Sequence, residues 1–203
     1  MMELQPGVHF WPGFFGRAAQ EELVEAIRAV VAEAPLYRPA MPRTGKPFSV
    51  RMTNCGPLGW VSDRAGYRYQ PDHPETGAPW PTIPPVLLQL WNEVSGSPAP
   101  PEACLVNFYD GSAKLGLHQD KDEADLAAPV VSVSLGDEAL FRLGGLERSD
   151  PTRSFRLKSG DVLVLGGESR LAFHGVDRVY PGTSTLLPKG GRINLTLRRV
   201  RPS

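Results

Sequence analysis

Two periodicities divide this chain. Up to about residue 94 the apolar residues that repeat do so at helical spacing. Leu23, Ile27, Val30 and Val31 fall on one face of Ala18–Ala34, with Glu21, Glu22, Glu25 and Arg28 available for the other. This spacing predicts an amphipathic helix whose early glutamates suit the helix dipole and which Pro35 stops. Phe10–Phe15, apolar and broken by glycine, reads as an extended lead-in. Pro85–Val94 predicts a second helix, with Val86, Leu87, Leu90, Trp91 and Val94 turned to the core and Gly96 ending it. Pro71–Pro85 is a proline-rich turn region and Ser95–Pro101 a linker.

From Cys104 onward the pattern changes to short strands: Cys104–Tyr109, Leu115–Gln119, Val130–Leu135, Ala139–Leu143, Ser154–Leu157, Asp161–Leu165, His174–Val179 and Arg192–Arg198. Breaks at Gly136, Gly144-Gly145, Gly160 and Gly166-Gly167 separate several of them. Such a series predicts a sandwich or jelly roll. The expected fold is mainly β with flanking helices: a helical and basic-loop N-terminal part laid on a C-terminal double-stranded β-helix.

Leu36–Gln70 differs in kind. It carries Arg38, Arg43, Lys46, Arg51, Arg64 and Arg68 against one acid, Asp63, together with Tyr37, Phe48, Trp60, Tyr67 and Tyr69. Cations interleaved with rings suit a phosphate backbone and stacked bases; a solvated loop with a few buried rings fits the same pattern. The whole chain of 203 residues has zero formal net charge, which argues against non-specific coating of nucleic acid but leaves room for a local basic face. Its length suffices for a core without staples, its hydrophobic share of 41% is ordinary, and one structural domain is expected. Cys55 and Cys104 have no metal-type or redox-type spacing. With no signal-like start and no apolar run near the ~20 residues that span a bilayer, a soluble, cytoplasmic, reducing setting is expected and no membrane partner.

The candidate chemistry centres on His118-Gln119-Asp120. Residues i and i+2 of a strand face the same way, so this imidazole and carboxylate can converge. His174, one of only four histidines, stands where a late strand should begin. The three together match a 2-His-1-carboxylate iron site, although a lone strand histidine is more often structural and His-x-Asp also arises by chance. Such a triad leaves about three positions on an octahedral ion, enough for a bidentate 2-oxo acid and O2. A dianionic co-substrate needs cations. Arg192, Asn194, Thr196 and Arg198 alternate with Ile193, Leu195 and Leu197 and so share one face of the last strand, either lining a pocket or facing solvent. Asn107 and Tyr109 share a face of the first barrel strand and could donate to the same acid.

These pieces, taken with Met52-Thr53-Asn54-Cys55-Gly56-Pro57-Leu58-Gly59-Trp60, Leu115–Glu123, Val131–Gly136, Gly166–Arg170 and Phe173-His174-Gly175, resemble the AlkB family of Fe(II)- and 2-oxoglutarate-dependent dioxygenases, and its bacterial members closely. The resemblance runs in family order from the lid onward. It implies His118, Asp120 and His174 as catalytic iron ligands, and Asn107, Tyr109, Arg192, Asn194 and Arg198 around 2-oxoglutarate. It further implies Trp60 and Tyr67 in a nucleotide-recognition lid, and Met52, Asp122 and Arg148 near the substrate base. The implied parts are an N-terminal extension and helix over 1–35, the lid over 36–84 and a jelly-roll core over 85–203. Gly116 stands where well-studied members carry serine, and Leu165 where they carry tryptophan, which bears on pocket volume and fine contacts.

The implied reaction is oxidative demethylation of N1-methyladenine and N3-methylcytosine, consuming O2 and 2-oxoglutarate and releasing formaldehyde, succinate and CO2. The implied partner is alkylated DNA, single strands preferred and RNA an option, met by a monomer. Both bases are cationic when methylated, so an aromatic face and a carboxylate would select them. Two rivals stay open from the residues: an oxygenase of the same class acting on RNA or protein, and a cupin-like jelly roll that binds a ligand without redox chemistry.

Overall fold

The computed structural model describes residues 1–202. In chain order it has β1 (Met2–Gln5), β2 (Val8–Trp11), helix α1 (Arg17–Glu33), β3 (Arg51–Cys55), β4 (Gly59–Asp63), β5 (Gly66–Gln70) and helix α2 (Pro85–Val94). Then follow β6 (Ala103–Tyr109), β7 (Leu115–His118), β8 (Val130–Gly136), β9 (Glu138–Leu143), β10 (Arg153–Leu157), β11 (Val162–Leu165), β12 (His174–Tyr180) and β13 (Arg192–Arg198). A major sheet has the order β1-β2-β11-β8-β13-β6-β3, a minor sheet the order β10-β9-β12-β7, and β4-β5 forms a separate hairpin. No described helix is long and apolar enough to cross a membrane.

Two-faced burial of the major sheet explains its alternation. Cys104, Val106, Val131, Val133, Leu135, Val162, Val164, Leu195 and Leu197 point to one side, where Leu23, Val24, Ile27 and Val30 of α1 and Leu87, Leu90 and Trp91 of α2 close the core. Burying each such side chain stabilises the fold by roughly 1.5–3 kcal/mol. Trp91 is sealed from solvent and its indole N–H donates to the Ala99 carbonyl at 2.9 Å, so its one polar atom is satisfied. Leu105, Tyr109, Leu163 and Leu165 point to the other side, toward Phe141, Leu143, Leu157 and Val176 of the minor sheet. The polar face of β13 therefore lies between the two sheets, where all seven of its residues are buried. The outward, solvated alternative for Arg192, Asn194, Thr196 and Arg198 is thereby excluded.

The eight strands expected after residue 103 are all present, within a residue or so at their ends. The N-terminal part holds more strand than its apolar pattern indicates. The lead-in is a pair of strands in which Val8–Trp11 zips antiparallel onto β11 and carries β1 at the sheet edge. Within 36–70, β3 pairs with β6 in the major sheet, and β4 and β5 pair from Gly59↔Gln70 to Asp63↔Gly66. Cys55 and Cys104 are directly opposite each other as free, buried thiols.

Strands β7 and β12 approach so closely that only glycine fits at one position. A Cβ on Gly175 would sit 2.6 Å from the Leu115 carbonyl oxygen and 2.9 Å from the Gly116 carbonyl carbon. That contact lies beside the His174↔His118 pairing. Gly175→Ala is expected to force the strands apart at a cost of about 1–3 kcal/mol. Urea unfolding would measure it, and an unchanged midpoint would show that β7 yields freely.

Candidate metal centre and its cavity

His118 ends β7, His174 begins β12, and strand pairing sets them opposite one another. Their ring centroids are 4.5 Å apart. His118 Nδ1 lies 2.8 Å from the Gly116 carbonyl and His174 Nδ1 2.9 Å from the Ala172 carbonyl. A carbonyl only accepts, so each Nδ1 carries the proton and each Nε2 lone pair is left for a ligand bond. Asp120 completes the group: its Oδ1 is 3.7 Å from His118 Nε2 and its Oδ2 is 3.7 Å from His174 Nε2. The donor atoms lie within 4.8 Å of one another, a set of two imidazoles and one carboxylate that fits Fe(II) with positions open.

Asp120 lies beyond the end of β7, not on it, since the strand stops at His118. Strand alternation therefore does not by itself bring the carboxylate to the imidazoles. Long-range contacts place the carboxylate. Gln119 Nε2 donates to the Leu171 carbonyl at 2.7 Å, Arg170 Nη1 donates to the Asp120 carbonyl at 2.6 Å, and Arg198 Nη2 donates to Asp120 Oδ1 at 2.9 Å. Burial alone would raise the Asp120 carboxyl, but Arg198, the two histidines and Arg170 outweigh it and hold it well below the ordinary range. Burial, with His118 beside it, pushes His174 down to about 4, so its ring is neutral and free to ligate at neutral pH.

The three residues open into a cavity of about 790 Å³. Asn107, Tyr109, Arg192, Asn194 and Arg198 line it, as do Met52, Trp60, Tyr67, Asp122 and Arg148, so every candidate residue reaches one space. Arg192 is 1% exposed, and its Nε and Nη1 have no hydrogen-bond partner among the described residues. Its Nη2 donates to Ser134 Oγ at 3.0 Å, and its guanidinium carbon stands 5.1 Å from the Tyr109 ring centroid. Burial lowers its pKa and raises that of Tyr109. A sealed guanidinium with free N–H groups is stable only when an anion meets it. The residues thus fit a carboxylate-bearing co-substrate beside the metal group. Asn107 Nδ2 donates to Asn194 Oδ1 at 3.2 Å, and Asn194 Nδ2 donates to Ser132 Oγ at 2.7 Å, which fixes both amides on this wall.

The mouth is aromatic and acidic. Trp60 lies nearly parallel to the exposed Tyr67 ring, at 18° and 5.6 Å between centroids. The Trp60 indole N–H donates to Asp122 Oδ2 at 2.7 Å. Arg148 donates to the Leu117 carbonyl at 2.9 Å and stands 5.3 Å from the Phe173 ring centroid. Fewer cations of the basic segment are free than its composition suggests. Arg68 is paired with Asp63 at 2.9 Å, and Arg38 and Arg51 approach Asp110 at 3.9 and 3.7 Å.

Three residues that the sequence shows only as members of longer stretches, without a role at the site, prove to touch the ligand set's supports. Arg170 Nη2 donates to Glu123 Oε2 at 3.0 Å, and the Tyr69 hydroxyl donates to Glu123 Oε1. Glu123 and Arg170 lay inside recognisable motifs, but nothing local marks a charged residue as buried.

Comparison with known proteins agrees with this geometry. The sequence profile described as the 2OG-Fe(II) oxygenase superfamily matches residues 7–198. The chain is 59% identical over 198 residues to the alpha-ketoglutarate-dependent dioxygenase AlkB homolog of Caulobacter vibrioides, covering 97% of this chain and 89% of that one. It is 47% identical over 190 residues to the alpha-ketoglutarate-dependent dioxygenase AlkB of Escherichia coli, covering 92% and 87%. The solved structure of OsALKBH1 superposes with a TM-score of 0.79 at 35% identity, covering 98% of this chain and all of that one.

The depressed His174 pKa has a stability consequence in metal-free protein. Burial and the neighbouring His118 lower its pKa from the ordinary 6.5 to about 4 in the folded protein. Between those values the unfolded chain holds the extra proton, so stability is lost as pH falls from 6.5 toward 4. The loss attributable to this ring is on the order of 3 kcal/mol at most. Urea unfolding of chelator-treated protein across this range should show a shallower pH slope in His174→Gln. Equal slopes would remove His174 as the source.

Proposed function

Because the chain belongs to the 2OG-Fe(II) oxygenase superfamily, we propose that this dioxygenase repairs DNA by oxidatively demethylating N1-methyladenine and N3-methylcytosine. One observation carries the choice of substrate: Trp60 and Asp122, hydrogen-bonded to each other, line the same cavity as the His118, Asp120 and His174 donors. A flat cation is attracted both to an indole face and to a carboxylate. Undamaged adenine and cytosine are neutral and gain less there. The AlkB names of the relatives in Caulobacter vibrioides and Escherichia coli support the same reading.

In this reading His118, Asp120 and His174 hold Fe(II), using Nε2 of each ring. Arg192 and Arg198 pair with the carboxylates of 2-oxoglutarate, while Asn107, Tyr109 and Asn194 bound its site. Bound Fe(II) supplies oxidation of the methyl group by O2, coupled to conversion of 2-oxoglutarate to succinate and CO2, with the methyl carbon leaving as formaldehyde. The protein's own contribution is placement. Trp60 and Tyr67 offer ring surface to the base, Met52 and Arg148 bound the pocket, and Asp122 meets the positive charge. Residues 36–84 act as the lid, rooted in the sheet through β3, after the 1–35 extension and over the 85–203 core.

The partner in this reading is alkylated single-stranded DNA, met by a monomer in the cytoplasm. A base in a single strand has no pairing to give up before it enters a pocket. Lys46, Lys114 and Lys121 line the cavity with Arg148 and can meet phosphates.

Formaldehyde release from methylated DNA, methylated RNA and methylated peptide, assayed side by side, tests the proposal. Release from DNA is expected, and none from DNA would overturn it. His118→Ala is expected to abolish turnover while leaving the protein folded; persisting demethylation would refute the ligand assignment. Trp60→Ala is expected to weaken binding of a methylated oligonucleotide by about 1–3 kcal/mol, read by fluorescence polarisation. An unchanged affinity would mark Trp60 as a packing residue only.

A further inference from the structure

The hairpin β4-β5 reaches the metal-bearing segment through two adjacent carboxylates. Trp60 and Tyr69 are cross-strand partners within the hairpin. Trp60 donates to Asp122, and Tyr69 donates to Glu123. Neighbouring rings on the hairpin thus hold neighbouring acids on the segment that also carries Asp120.

Glu123 is not free to read a substrate. Its side chain is 1% exposed and lies between Arg170 at 3.0 Å and Arg198 at 3.5 Å. The Tyr69 hydroxyl works in both directions: it donates to Glu123 and accepts from Arg198 Nη1 at 3.4 Å. Burial, chiefly, keeps this phenol well above its ordinary range despite the nearby Arg198 cation, so it stays protonated and able to donate. Arg198 in turn is 2.9 Å from Asp120 Oδ1, and its Nε has no hydrogen-bond partner among the described residues. A chain of contacts therefore runs from the hairpin, whose Trp60 lines the cavity beside Tyr69, through Tyr69 and Glu123 to Arg198 and Asp120 in the cavity wall.

We infer that Tyr69 and Glu123 are positioning residues that latch the β4-β5 hairpin to Arg198, so that a ligand at the mouth and an anion at the inner wall bind cooperatively. The inference rests on the reading above in which Arg198 meets the 2-oxo acid and the hairpin meets the methylated base. Its physical basis is shared orientation. With the hairpin seated, the phenol and Glu123 fix the Arg198 guanidinium at a position where an incoming carboxylate finds it ready. An anion seated on Arg198 fixes the phenol and with it the hairpin. By linkage, each ligand must then tighten the other by the same factor.

The test uses the full chain loaded with Mn(II), a redox-inert probe, and calorimetry in place of turnover. The Kd of 2-oxoglutarate is measured with and without a saturating trinucleotide containing N1-methyladenine, and the Kd of the trinucleotide with and without 2-oxoglutarate. In the native protein each ligand is expected to tighten the other by an equal factor. Tyr69→Phe removes one hydroxyl and both of its hydrogen bonds. It is expected to raise the 2-oxoglutarate Kd about three- to tenfold and to bring the coupling factor to about one, with Mn(II) affinity unchanged.

Glu123→Ala would leave two buried arginines without their acid and is open to misfolding, which makes Tyr69→Phe the informative variant. Native 2-oxoglutarate affinity and native coupling in Tyr69→Phe would overturn the latch. So would a variant that loses Mn(II) affinity as well, since Tyr69 would then be a general packing residue. A native protein that binds 2-oxoglutarate without mutual tightening overturns the latch alone. One that binds no 2-oxoglutarate overturns the reading beneath it too.

Discussion

The ion pair between Arg198 and Asp120, 2.9 Å long and almost closed to water, is the constraint on which the rest of the site depends. Two buried charges are tolerable only if their remaining hydrogen-bonding capacity is met. The surroundings answer most of that demand, leaving Arg198 Nε 3.5 Å from Glu123 Oε1 without a hydrogen bond. Glu123 balances the second arginine of the group, Arg170, which also caps the Asp120 carbonyl. Asp120 Oδ1 and Oδ2 each stand 3.7 Å from an imidazole Nε2, of His118 and His174 respectively, so the carboxylate and the two ring lone pairs converge as metal donors do. Arg198 depends in turn on its place in β13, where both sheet neighbours, β6 and β8, pair with every residue of the strand. The centre is therefore held from both sheets, with Arg198 on β13 of the major sheet, His118 and His174 on β7 and β12 of the minor one, and Asp120 just past the end of β7.

That arrangement explains what could be read from the sequence. The period-2 alternation of Arg192–Arg198 with Ile193, Leu195 and Leu197 identified a strand with one polar face, and the strand is there with the same bounds. Alternation cannot say which face meets water, because a solvated face and a charged pocket wall have the same composition. The answer lies in partners remote in sequence: Ser134 for Arg192, Asp120 for Arg198, Ser132 for Asn194. The same limit applied to Glu123 and Arg170, whose burial rests on each other across 47 residues of chain.

The N-terminal strands illustrate a different limit. Val8–Trp11 is four residues long and turns Val8 and Phe10 to one core and His9 and Trp11 to the other side. A run so short shows too few periods to be told from an apolar loop. It becomes a strand because β11 offers an edge for it to pair with. In 36–70, composition suggested a surface for phosphate, yet Arg68, Arg38 and Arg51 spend part of their charge on Asp63 and Asp110. Net charge over a segment overstates what is free to meet a ligand.

The cavity is polarised along its depth, and this orders what it can hold. Asp120, Glu123, Arg170 and Arg198 nearly cancel as a buried group. Arg192 remains at the inner wall, sealed and short of acceptors, while Asp122 remains at the mouth, exposed and held by Trp60. An anion therefore gains most deep in the cavity, where low dielectric strengthens its attraction to Arg192. A flat cation gains most at the rim, where the indole and the carboxylate meet. The donors of His118, Asp120 and His174 line the same space. A 2-oxo acid and a methylated base entering one pocket would thus be sorted by charge before any hydrogen-bond pattern is read, the acid drawn inward to Arg192 and the cationic base held at the rim by Trp60 and Asp122.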